Sequence, residues 1–413
     1  VRHRHALGVG PHTGAPHTAV GRAVYGVDVT SAAPRPRAVR HRPSRVGAHG
    51  RALGTAALAI TLSVALAGCA GSDTIATGSR PSAGQAPGTS LTQRAALALA
   101  SLPGYQPPAA LGNGSRGRPL LGADGDITWT VYDQQNKPID NYDPKQQVAW
   151  GSGSEYTDIP GVLTFRGNNA RSAPSFGTAN ITDKKLSIAW THDIGAVSAD
   201  GSYFPGAGWT GQPLLVKWPA DTKKAMKLTA AQVADPAFVE VVYPVFDGSV
   251  YRLSLADGSV TRPKIEGKWG FKGTGSIDPR GYPLLYAGQG LNENGNEKGP
   301  WQYHVFDLIQ NKQVAKISGT DDVSHRQDPV GWGAFDSSAL IDRRSDTLIE
   351  PGENGIVYKA KLNATFDAKA GKVSVKPELT KMTYRTPVSR QYGIESSAAA
   401  WKNLMWATDN DGN

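Results

Sequence analysis

From Ile127 to Asn413, short runs of alternating apolar and polar residues follow one another with little interruption. "ITWTVYD" opens the series at Ile127. It continues with "VEVVYPVFDGSVYRLSLADGSVT" (Val239–Thr261), "YPLLYAGQG" (Tyr282–Gly290), "WQYHVFDLIQNKQVAKIS" (Trp301–Ser318) and "DTLIEPGENGIVYKAKL" (Asp346–Leu362). A two-residue period sends successive side chains to opposite faces, and the Asp-Gly, Asn-Gly and Pro-Gly pairs around these runs suit tight turns. The pattern predicts antiparallel all-β structure. A helix is suggested only over "KLTAAQVADPAF" (Lys227–Phe238), and Pro219–Ala234 reads as a loop insertion.

The runs are organised by a repeat. "WTGQPLLV" from Trp209, "GTGSIDPR" from Gly273, "FDSSALID" from Phe335 and "IESSAAAW" from Ile394 are spaced by 64, 62 and 59 residues. Each is followed by an apolar strand, a Gly-containing turn and a second alternating strand. A unit that starts with narrow residues and then moves outward through hairpins suits a β-propeller blade, because the crowded hub admits only small side chains. The expected fold is a β-propeller of four-stranded antiparallel blades over 127–413. Gln212, Ser276, Ser338 and Ser397 should then cluster near one line.

The region before Ile127 has a different character. Residues 1–50 are a basic low-complexity preamble, expected not to belong to the mature protein. Residues 51–69 hold a short apolar stretch after Arg45 and Arg51, closed by Leu66-Ala67-Gly68-Cys69. Positive flank, short apolar core and small residues at the break are the layout of a secretory signal peptide. Cys69 resembles the lipidated residue of a bacterial lipobox. Residues 70–126, rich in Ala, Gly, Ser and Pro, cannot bury enough apolar surface to order themselves and read as a disordered, flexible tether.

This division changes the charge argument. The chain carries +9, but residues 1–68 hold nine Arg and one Asp, which leaves 35 basic and 34 acidic residues from Cys69 onward. A nearly neutral mature chain gives no support for nucleic-acid binding. Six of the nine His lie in the preamble, leaving only His192, His304 and His325, so a multi-His metal site is not expected. Cys69 is the only cysteine, so no disulfide and no thiolate nucleophile are expected. No Gly-x-Ser-x-Gly is present either.

"FRGNNARSAPSFG" (Phe165–Gly177), "IAWTHDIG" (Ile188–Gly195) and "VFDGSVYRLSLADGSV" (Val245–Val260) resemble the PQQ-binding-like β-propeller proteins, in particular the repeat lipoproteins of Gram-positive bacteria. The resemblance implies rings of seven or eight blades, of which about four are expected here, so that the chain reads as C-terminally truncated. It also implies an alternative function as a quinone (PQQ)-dependent dehydrogenase with Ca²⁺. In the quinoprotein alcohol dehydrogenases two adjacent Cys cover the quinone, and this chain lacks such a pair.

Acidic residues are expected at the same phase of the repeats, Asp278, Asp336 and Glu395, with Glu350 and Glu353 in "EPGENG". Repeated phases converge around a propeller axis, so these five are the candidate ligand-binding residues, suited to a cation or to a basic or hydroxylated ligand. The competing reading gives each acid to the backbone N–H groups of its own turn. Trp209, Tyr282, Trp301, Trp332, Trp401 and Trp406 suit stacking on sugar rings or, more simply, packing between blades. "DNDGN" (Asp409–Asn413) lacks the glycine and glutamate positions of a calcium loop and reads as a hairpin turn. No catalytic residues, metal ligands or cofactor are assigned. The sequence points to a binding or scaffold module on the outer face of a Gram-positive, actinobacterial-type cell membrane. Its partners are expected to be the membrane, through lipidated Cys69, and an envelope protein or cell-wall ligand.

Overall fold

The computed structural model describes residues 128–412, apart from 144–147, 149, 152, 207–210, 328, 387–388 and 403. The expected leader, Cys69, the tether and Trp209 lie outside the described residues.

Three antiparallel sheets and a hairpin follow the repeat. The first sheet orders Gly161–Val162, Leu214–Val216, Glu240–Pro244 and Val250–Ser254 side by side. The second runs from Ser276–Ile277 through Leu284–Gly288 and Gln302–Asp307 to Lys312–Ser318. The third runs from Leu340–Asp342 through Thr347–Pro351 and Ile356–Lys361 to Glu378–Arg385. A fifth strand, Thr128–Tyr132, pairs with the outer edge of that sheet in the register Thr128 to Arg385 through Tyr132 to Lys381. Ala399–Trp401 and Leu404–Trp406 form the hairpin that opens the fourth repeat. A short inner strand followed by longer strands outward, in chain order, is the build of a propeller blade.

The repeated small residues meet as expected. Thr164 Oγ1 lies 2.9 Å from both Ser276 Oγ and Ser338 Oγ, which are themselves 3.2 Å apart. Ser397 Oγ accepts from the Ser338 N–H at 3.0 Å. The Gln212 N–H reaches Thr274 Oγ1 at 2.9 Å, and Gln212 Oε1 accepts from the Arg166 N–H at 3.2 Å. Four separate inner strands thus converge on one segment, Thr164–Arg171. Larger side chains would not fit: a Cβ on Gly273 would stand 2.1 Å from the Asp336 carbonyl oxygen. The fold is an all-β propeller arrangement of antiparallel blades.

Between the sheets, one continuous apolar core includes Leu163, Leu214, Ile277, Tyr286, Phe335 and Tyr358, all essentially buried. Fully burying a side chain of this size is worth about 1.5–3 kcal/mol, so this core is a large favourable contribution to stability. The turns are closed by short polar side chains. Asp257 Oδ1 accepts from the Ser259 N–H at 3.0 Å, and Gly258 adopts φ 71°, which a Cβ disfavours. The Trp190 ring packs directly over Gly258, where a Cβ would come within 2.6 Å of it.

Two short helices interrupt the first sheet. Ala230–Ala234 falls inside the predicted helical run and starts at a capping box of Thr229 and Gln232. Ala220–Ala225 was not foreseen, because it lies in a stretch read as loop. Lys223, at the end of that helix, donates to the carbonyls of Gln232 and Asp235 at 2.8 Å each, so the helices brace each other.

Candidate functional site

The hub is held by a buried guanidinium. Arg171 Nε donates to the Ala398 carbonyl at 2.8 Å, and Nη2 to the Ser338 carbonyl at 2.6 Å. Its Nη1 reaches Thr164 Oγ1 at 3.0 Å and the Phe165 carbonyl at 3.2 Å. One side chain therefore joins the inner strands of the third and fourth repeats to the axial segment. Burial lowers its pKa to about 10, opposed by the nearby Tyr156 and Glu350. Sequence reasoning missed this role, because Arg171 stands outside the repeat and its partners lie 167 and 227 residues away.

Above the hub, three of the five candidate acids come together. Asp336 and Glu395 directly follow Phe335 and Ile394 at the same phase of their repeats. Glu353 comes from the hairpin between the second and third strands of the third sheet, where its N–H donates to the Ala334 carbonyl at 2.9 Å. Asp336 is ion-paired with Lys272. Glu353 Oε2 accepts from Trp332 Nε1 at 2.6 Å, with Arg326 Nη1 at 3.6 Å. Glu395 is exposed and accepts from Asn410 Nδ2 at 2.8 Å. Burial raises the pKa of Asp336 against the pull of Lys272. Burial first, and then the Asp336 charge, push the Glu353 carboxyl up to about 8.

The other two candidates stand elsewhere. Asp278 lies five positions into its repeat, past the inner strand, and Thr274 occupies the phase of Asp336 and Glu395. It accepts from Arg280 Nε at 2.9 Å, from Arg280 Nη2 at 2.6 Å and from the Tyr286 hydroxyl at 3.0 Å, and Arg280 continues to Asp346. Such an arrangement holds a turn. Glu350 is fully buried below the mouth and accepts from the Ser337 hydroxyl at 2.6 Å. Burial, only partly offset by Ser337 and Arg171, raises its pKa well above the usual carboxylate range.

Lys272 and Arg326 are mouth residues that the sequence reading did not single out, and Trp332, read there as a stacking or packing residue, joins them at the mouth. Lys272 had a visible signal. It precedes Gly273 at a phase where the third and fourth repeats carry Ala334 and Gly393, making it the odd cation among small residues. Trp332 packs against Trp301 with ring centroids 4.6 Å apart, so its face serves packing while its N–H serves Glu353. Asp409 and Asp411 bind the 389–392 segment, with Asp411 Oδ2 accepting from the N–H groups of Arg390, Gln391 and Tyr392.

A cleft of about 530 Å³ lies apart from these acids, lined among others by Lys264, Trp269, Phe271, His304, Phe306 and Lys312. Both ring nitrogens of His304 are taken by Gln313 and Gln289, and burial lowers its pKa to about 4. His304 is thus not a free base, and the carboxylate in the cleft lining, Glu266, is exposed with Lys264 Nζ at 3.6 Å.

A quinone with Ca²⁺ does not fit the residues present. The hub line is occupied by the contacting hydroxyls of Thr164, Ser276 and Ser338 with Arg171 against them. Among the described residues, no three His, Cys, Asp or Glu side chains form a group able to hold a metal ion. The mouth acids stand against the Lys272 ammonium, the Arg326 guanidinium and the Trp332 N–H.

No protein-family model matches the chain, and no curated protein is similar to it. Among solved structures, it is similar to the computationally designed Ika4 protein at 10% identity and TM-score 0.25, covering 42% of this chain and 81% of that one. It is similar to BamB from Moraxella catarrhalis at 13% identity and TM-score 0.25, covering 55% of this chain and 60% of that one. A third likeness is to the Dos1 propeller, at 14% identity and TM-score 0.22, covering 36% of this chain and 38% of that one. At these scores the likenesses carry no argument about ligand, partner or activity, and the assignment of fold rests on the sheets and hub described above.

Proposed function

We propose that the protein is an exported, lipid-anchored propeller acting as a binding or scaffold module at the cell envelope. The anchor is Cys69, and the location is the outer face of the membrane of a Gram-positive, actinobacterial-type cell. Supporting this reading are the short apolar stretch ending in Leu66-Ala67-Gly68-Cys69 and the near balance of charge that follows it. Two acyl chains on one cysteine suffice for stable anchoring. The observation that carries the binding role is the gathering of Asp336, Glu353 and Glu395 beside Lys272 at the hub mouth. The ligand class that suits it is a basic or polyhydroxylated group on an envelope protein or cell-wall glycan.

Cells fed an alkyne fatty acid test the anchor. The wild-type chain should take up label and sediment with membranes, whereas Cys69→Ala should lose the label and appear in the medium. Equal labelling of both chains would overturn the anchor. For the ligand, soluble cell-wall fragments should bind wild type at least tenfold tighter than an Asp336→Asn/Glu395→Gln variant. Equal affinity would remove the mouth from the binding role.

A further inference from the structure

Glu353 and Asp336 meet inside the protein with too few donors for their oxygens. Glu353 is 2% exposed and Asp336 6% exposed. Trp332 supplies one donor to Glu353 Oε2, and Lys272 pairs with Asp336 Oδ2. Glu353 Oε1 and Asp336 Oδ1 are both buried with no hydrogen-bond donor among the described residues. A buried acceptor left in this state is costly, and two touching carboxylates resist ionising together.

A proton on Glu353 Oε1 removes both difficulties, since it supplies the missing donor and cancels one charge. The local charges agree. Asp336, Glu353 and Glu395 face Lys272 and Arg326, an excess of one negative charge if every acid is ionised and a balance if one is not. Among the described residues, the other charged neighbours add no further positive charge at the pair. Glu350 lies below with Arg171, and Asp411 acts on Arg326 from the fourth repeat.

We propose that Asp336 and Glu353 share one proton at neutral pH, and that its loss under alkaline conditions loosens the hub mouth, giving the third blade a proton-linked switch. The bond that yields is the one between the two carboxyls. On ionisation, Glu353 is repelled from Asp336, and the hairpin carrying it is driven from the Ala334–Asp336 segment to which its backbone is bonded. The device goes beyond the binding role and stands whether or not the mouth takes a ligand.

Glu353 has its carboxyl pKa raised in the folded chain. The resulting stabilisation is complete below the ordinary glutamate value of about 4.5, and is lost as pH rises to about 8. Thermal unfolding of the full chain should therefore show a wild-type midpoint that falls by roughly 5 °C or more between pH 5 and pH 8.5 relative to Glu353→Gln. The Gln amide can donate to Asp336 permanently, so that variant should lack this slope. Superimposable pH profiles for the two chains would overturn the proposal. If Glu353→Gln fails to fold, the wild-type fluorescence attributable to Trp332, taken as the difference from Trp332→Phe, should titrate with a midpoint near 8. Fluorescence that is flat from pH 6 to 9.5 would equally overturn it.

Discussion

Two buried acid–base clusters in this molecule share a design but differ in completeness. In the first sheet, Glu240 and Arg252 are both fully buried. Every oxygen of Glu240 is served: Oε1 by Arg252 Nε at 3.1 Å and the Thr261 hydroxyl at 2.5 Å, Oε2 by Trp218 Nε1 at 2.7 Å and Arg252 Nη2 at 3.1 Å. Arg252 also donates to the Leu308 carbonyl at 2.8 Å, stitching the first sheet to the second. At the hub mouth, a tryptophan N–H again meets a glutamate, at 2.6 Å, but two carboxyl oxygens have no donor. Equal burial therefore does not mean an equal role. The saturated cluster fixes a blade interface, and the unsaturated one can respond to its surroundings.

The contrast sets the ranking of expected effects. Glu240→Ala should be the most damaging, because it strands a buried guanidinium. A loss of about 3–5 kcal/mol in denaturant unfolding is expected, and a loss below about 1 kcal/mol would show that the two clusters do not differ in this way. Arg171→Ala should follow, at about 3 kcal/mol, since it removes charge-assisted bonds to two inner strands and the axial segment. Hydrogen exchange should then rise first in the inner strands of the third and fourth repeats. Lys272→Met should cost about half the Glu240 effect or less at pH 6, because Asp336 can take up a proton in place of its partner, and distinctly more at pH 9. A loss independent of pH would place Lys272 with the saturated kind. Ser338→Val is the smallest, at about 1–2 kcal/mol for the lost bonds to Thr164 and Ser276, read from the same unfolding curves.

The fold was legible where physics leaves a periodic trace. Narrow residues at Ser276, Ser338 and Ser397 recur because the hub excludes larger ones, while Gln212, wider than these, meets Thr274 and the Arg166 N–H beside them. The Thr164–Arg171 segment occurs once, so no repetition announced it. Ala220–Ala225 was hidden because a six-residue helix is too short to show a helical period. For the candidate site, phase located Asp336 and Glu395 but misplaced Asp278, which is separated from the repeat start by four residues rather than none. Glu353 was visible as a turn acid, yet its partner Trp332 lies 21 residues away and Lys272 belongs to another repeat. Pairings of that kind come from how the blades pack, and no local pattern encodes them.

The strand Thr128–Tyr132 has a bearing on how the molecule is assembled. It closes onto Glu378–Arg385, and the turn after it reaches Lys381, whose Nζ donates to the Gln134 carbonyl across 247 residues of chain. Synthesis delivers residue 128 well before residue 385. The strand must therefore wait, without its sheet partner, until Glu378–Arg385 has been made, and contacts this distant are the slow ones to form. Throughout that interval Trp129 and Val131 have no sheet to join, so the newborn chain carries an apolar strand exposed until Glu378–Arg385 arrives.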